Sequence, residues 1–199
     1  MARKKRVRLD KKGRPIKPKR EAAQAPAAEP EADEAEEPDC ECPYLVVEDW
    51  DGVESDWSDI QFVRVHAKAI LGVPVGFDNL REKLRKAADE AGATIPPDAM
   101  LLLGSGRFLR PVMMEVENAD PSNKNVVMPG GVAFSRVHPA PWGEMGKLAR
   151  TTGESARERY GRNPDHLWLW YLTCKECSSQ RNYETLFIAH YRNDPVAVS

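Results

Sequence analysis

Two stretches of the chain read in the same order: extended, helical, extended, extended. In the first, Phe62 to Ile70 is β-rich and partly alternating, the pattern of a strand. Asp78 then caps a helix whose apolar positions, Leu80, Leu84, Ala87, Ala88 and Ala91, follow a helical stripe, with Gly92 as its stop. Met100 to Leu103 and Val112 to Val116 read as two strands around the turn Gly104-Ser105-Gly106. The second stretch opens with Val132 to His138, behind the turn Pro129-Gly130-Gly131. Pro141 suits the first position of a helix whose apolar face is Met145, Leu148, Ala149 and Thr152, while Gly143, Gly146 and Gly153 weaken it and leave its end open. Leu167 to Leu172 is apolar on both faces, and Thr185 to Tyr191 is the last strand. The order predicts an α+β fold: a pseudo-twofold duplication of a strand-helix-strand-strand module, with an antiparallel sheet and two main helices. Two such modules can pair through their sheets and leave a groove between them. The pattern repeats; the residue identities do not.

Ahead of this lies a charged arm. Residues 1–20 carry eleven basic side chains and one acid, and residues 21–42 carry nine acids and no base. With little apolar content beyond alanine and with Pro15, Pro18, Pro26, Pro30 and Pro38 scattered through it, this segment cannot offset its ordering entropy by burial. The expected division is a disordered basic arm and acidic linker over 1–42, then a globular domain over 43–199. The basic block is either an electrostatic anchor for nucleic acid, bound without sequence preference, or a solvated tail. No helix-turn-helix pattern or zinc-finger spacing points to base reading. No apolar run approaches the ~18 residues of a membrane helix, and mean hydropathy is −0.57. No membrane insertion is expected. The basic start has no apolar stretch behind it, so the expectation is a cytoplasmic protein without a secretory leader.

The segment Pro129-Gly130-Gly131-Val132 through His138, the aromatic strand Trp168-Leu169-Trp170-Tyr171 and the pair Glu184-Thr185 opening the last strand carry a resemblance. In order and spacing they resemble the GyrI-like family, the small-molecule effector-binding domains of AraC- and MerR-type multidrug regulators, here in stand-alone form. The resemblance spans roughly Ile60 to Tyr191. It implies that a small apolar or cationic molecule binds in an aromatic groove between two modules and meets a pocket glutamate. Glu184 occupies the matching position, and Glu115 is a second candidate. Three departures stand out. Pro139 and Pro141 stiffen the path into the second helix, a Cys174-Lys175-Glu176-Cys177 hairpin precedes the Glu-Thr pair, and no DNA-binding domain is attached.

Flat aromatic walls with one buried acid suit a lipophilic cation through stacking and cation–π attraction. Trp142, Trp170, Tyr171 and Tyr160 are the candidate walls; the alternative is that these rings fill core. Trp168 is assigned to the pocket less than Trp170, on the ground that neighbouring strand residues face opposite sides. Glu184 either stays ionised to pair with a cation or, with its pKa raised by an apolar wall, serves as the catalytic acid or base of a hydrolase of strained, electrophilic small molecules. A third reading is a nucleic-acid-associated adaptor acting through the arm. His138 either moves a proton or bonds a neighbouring backbone group. His66 and His190 have no partner in sequence. Cys174 and Cys177 have the spacing of a metal knuckle, and Cys40 and Cys42 could complete a structural zinc site; free thiols are the other reading. No cofactor is required by any motif.

Overall fold

The computed structural model describes residues 8–9, 46–70, 73–76, 78–139, 144–170 and 184–192. The strands are β1 (Arg8–Leu9), β2 (Val53–Asp56), β3 (Gln61–Ile70), β4 (Val73–Pro74), β5 (Leu101–Gly104), β6 (Leu109–Val116), β7 (Val126–Val127), β8 (Val132–Pro139), β9 (His166–Trp170) and β10 (Glu184–Tyr191). The helices are α1 (Asp78–Glu90) and α2 (Met145–Tyr160). The fold is α+β, as expected. All strands join one antiparallel sheet in the order β1-β2-β8-β10-β9-β5-β6-β3-β4, with β7 also on β3. Its middle reads β8-β10-β9 and then β5-β6-β3, so the sheet order is palindromic about the β9/β5 seam. There Leu102 faces Trp170, Leu103 faces Leu169 and Gly104 faces Trp168.

Strand alternation sends these seam pairs to opposite faces. On one face α1 lays Leu80, Leu84, Ala87, Ala88 and Ala91 on Val63, Leu101, Leu103, Val112 and Met114. The stripe is the one its spacing predicts, and Gly92, at φ +62°, ends the helix region. On the same face α2 buries Leu148, Thr152, Ala156 and Tyr160, and Phe134, Ala189 and Tyr191 pack with Ala156 and Tyr160. Its glycines do not break it. Packing of that stripe outweighs their ~1 kcal/mol propensity cost each, and the helix runs to Gly161, whose N–H donates to the Arg157 carbonyl at 2.8 Å.

The other face holds Trp57, Phe62, Met100, Leu102, Met113, Trp168, Trp170, Leu186 and Ile188, covered by Val47, Trp50 and Ile60. The molecule is thus layered as helices, sheet and an N-terminal strap. The strap and β2 were not expected as structure. Val53-Glu54-Ser55-Asp56 is short and polar, and it becomes a strand only because β8 offers a partner edge. The arm expected to be disordered contributes Arg8–Leu9, which pairs antiparallel with β2. The remainder of residues 1–42 lies outside the described residues.

Candidate functional site

A groove of about 510 Å³ lies open on the helix face, at the β9/β5 seam. Leu103, Leu167, Leu169 and Phe187 form its floor, and Ala149, Arg150, Gly153, Glu154 and Arg157 of α2 form one wall. Ser105, Arg110, Asn163, Pro164, Asp165 and His166 close the rest. The wall residues lie beside the stripe that α2 buries, so one helix both packs on β8 and β10 and overhangs the seam. Gly153 brings helix and floor together, since a Cβ there would sit 3.4 Å from Leu167 Cδ1.

The polar groups of the groove differ in how far they are engaged. Arg110 Nε donates to the Gly104 carbonyl at 2.6 Å, which fixes the plane of its guanidinium. Asp165 accepts the Arg192 backbone N–H at 2.9 Å and faces Arg162 Nη1 at 3.5 Å. Those contacts, the Arg192 hydrogen bond first, hold its carboxyl below the usual range. Arg192 Nη2 donates to His166 Nε2 at 2.8 Å. Arg150, Glu154 and Arg157 stand at i, i+4 and i+7 on α2, and among the described residues none of their side chains is in an ion pair or hydrogen bond.

The aromatic face is filled instead. Trp170 is buried, with Trp50 edge-on to it at 4.7 Å and 76°. Trp168 lies on the same face as Trp170, because residues two apart in a strand share a side; the sequence reading that separated them is corrected. Glu115 is 5% exposed on that face, and its carboxylate accepts the Met100 N–H at 3.1 Å. The cavity beside Met100, lined also by Trp50, Trp57 and Ser135, holds about 10 Å³. That is room for about one water. Tyr160 sits on the opposite face, its ring 4.7 Å from Tyr191, and burial, with Glu54 beside it, pushes its phenol above the ordinary value. Trp170 and Glu115 therefore share a face that Tyr160 does not. The Glu184 backbone pairs with Pro139, but its side chain lies outside the described residues, as do Trp142, Tyr171, Cys40, Cys42, Cys174 and Cys177. Among the described residues no group of three or more His, Cys, Asp or Glu is placed to hold a metal ion. No described helix is long and apolar enough to cross a membrane.

Three histidines are tied into the fold by hydrogen bonds. His138 Nε2 lies 2.8 Å from Thr152 Oγ1, tying β8 to α2; its partner is a hydroxyl rather than the backbone group expected. His190 is 1% exposed, donates Nε2–H to the Gly130 carbonyl at 2.7 Å and stacks on Trp57 at 5.0 Å. Burial first, and nearby arginines second for His138 and His166, hold all three of His138, His166 and His190 below their ordinary value. In the unfolded chain a histidine titrates near ~6.5, so below that pH the unfolded state takes up protons before the folded state does. Stability is therefore full above about pH 6.5 and falls as pH drops from there toward the depressed folded values. Calorimetry from pH 8 to pH 5 should show a falling Tm, with a shallower fall in His190→Asn. A Tm flat over that range contradicts this account.

The residues of the groove were missed by sequence reasoning. Arg150, Glu154 and Arg157 look like the solvated side of an amphipathic helix; the available signal was that they share one stripe next to the buried one.

A family model described as Bacterial hydrolase matches residues 32–190. No curated protein and no solved structure matches the chain. The family match overturns the resemblance to the GyrI-like family. The motifs behind that resemblance have a plainer cause: Gly130 and Gly131, at φ +62° and +70°, make a turn, and the tryptophans pack a sheet face. With most of its length inside the match, the chain belongs to the bacterial hydrolase family.

Proposed function

We propose that the chain hydrolyses a small molecule bound in the seam groove, with Glu154 as the base. The observation that carries this is the groove itself: about 510 Å³ of space over an apolar floor, beside a carboxylate with no ion pair among the described residues and a pinned guanidinium. Membership of a hydrolase family supports the same reading. The two strand-helix-strand-strand units are read as one duplicated module, with the groove opening where they meet.

Hydrolysis needs a water made nucleophilic and a place for charge to develop. The Glu154 carboxylate takes a proton from water as the oxygen bonds to the electrophilic carbon of the substrate. Arg110 faces the developing negative charge; its bond to Gly104 orients it before the reaction, so reorientation costs little. The proton on Glu154 then passes to the leaving atom, and bond cleavage returns the carboxylate. Leu103, Leu167, Leu169 and Phe187 hold the carbon body and lower the local polarity, which strengthens both interactions.

The test is a panel of small chromogenic esters, amides and strained-ring electrophiles. Turnover should appear with at least one class and fall by about 10²-fold or more in Glu154→Gln. Glu154 is exposed, so the variant keeps its fold. Turnover unchanged in Glu154→Gln removes the assignment.

A further inference from the structure

The groove has three guanidinium groups, and they differ in setting. Arg110 is half-buried and committed to Gly104. Arg150 and Arg157 are exposed, lie two turns apart on one face of α2, and among the described residues pair with nothing. Glu154 sits four residues after Arg150 and three before Arg157, distances at which helix neighbours ordinarily pair. Among the described residues it forms no ion pair with either. The second acid of the groove, Asp165, is already held by Arg192 and Arg162. Two cations therefore face the groove above an apolar floor, and the nearby acids do not neutralise them by contact.

We propose that the substrate is an amphiphilic acid derivative, an oxyanion head on an apolar body. Arg150 and Arg157 take the head through charge-assisted hydrogen bonds, for which the planar guanidinium suits a carboxylate or phosphate. Leu103, Leu167, Leu169 and Phe187 take the body. A cationic ligand, the class suggested by the GyrI-like resemblance, would place its charge against these two arginines. The inference rests on the groove being the working site, and it divides the cations by role: Arg110 toward the reacting centre, Arg150 and Arg157 toward the head.

Binding tests it without turnover. The full chain is titrated calorimetrically with octanoate, octyl phosphate and octyltrimethylammonium. The two anions should bind, more weakly as salt rises, and the cation should not. The double variant Arg150→Gln/Arg157→Gln should lose about tenfold in affinity for the anions, with its thermal melt unchanged because both positions are exposed. Octanoate against octyl phosphate separates the two head groups. Equal or tighter binding of the cation, no binding of either anion, or full affinity in the double variant overturns the inference. Anion binding without any hydrolysis defeats the hydrolase reading and leaves Arg150 and Arg157 standing as an oxyanion-binding site, with the amphiphile its ligand rather than its substrate. Hydrolysis lost in Glu154→Gln without anion binding does the reverse.

Discussion

Replacing Trp57 by alanine is expected to lower the unfolding free energy by about 3–5 kcal/mol, the range for emptying a buried indole site. Trp57 is 1% exposed although it precedes β3 and belongs to no helix or strand. Its ring lies 5.4 Å from Phe62 and stacks on His190 at 5.0 Å, and its backbone N–H donates to the Gly131 carbonyl at 2.8 Å. It is the point at which the strap is fastened to the sheet. Alanine keeps the backbone bond and removes the packing. Urea unfolding would read the change as a lower midpoint at constant slope. Trp57→Phe should lose less than half as much, since an aromatic ring still covers Phe62. A loss under 1 kcal/mol in Trp57→Ala would mean that the strap contributes little to the buried face.

Gly131→Ala is expected to cost roughly 3–5 kcal/mol, from left-handed backbone strain and from forced displacement of packed chain. Gly131 has φ +70°, and a Cβ there would fall 1.9 Å from the Tyr191 carbonyl oxygen and 2.7 Å from Arg192 backbone atoms. The obstruction is backbone, so no rotamer change relieves it. Gly130 is the matched control: φ is +62°, and no atom lies within 4 Å of its built Cβ. Gly130→Ala should show only the conformational cost, about 1–2 kcal/mol. Similar losses for the two variants, read by thermal or urea unfolding, would refute the steric account.

These two sites show what was legible in the sequence. Gly130-Gly131 announces a turn by composition, and the structure has one. That the second glycine is hemmed in by Tyr191 depends on β10 running alongside β8, which no local pattern encodes. The α1 stripe was readable because all of its contacts obey one period; Leu80, Leu84, Ala87 and Ala88 face the core as spacing demands. The succession of strands and helices was readable, whereas the order in which the strands join the sheet was not. Val126–Val127 and Val53–Asp56 were not readable as strands: each is too short for alternation to register, and each depends on a distant partner. The groove was expected at the seam, and a groove is there, but on the leucine side. Trp170 carried the aromatic reading, and its burial under Trp50 comes from a segment more than a hundred residues earlier in the chain. Arg150, Glu154 and Arg157 gave no warning, since charge on a helix is ordinarily just solvated.

The narrow join at mid-sheet has a mechanical consequence. Three residue pairs link β5 to β9 and three link β5 to β6, against eight linking β3 to β6 and eight linking β8 to β10. β5 is thus a neck held to both of its neighbours by short registers, and it carries Leu103 of the groove floor. A shift of this neck would move Leu103 relative to α2 and so alter the groove. A molecule seated there also splints the neck, and amides at Leu102 to Gly104 should exchange more slowly with solvent deuterium when it is bound.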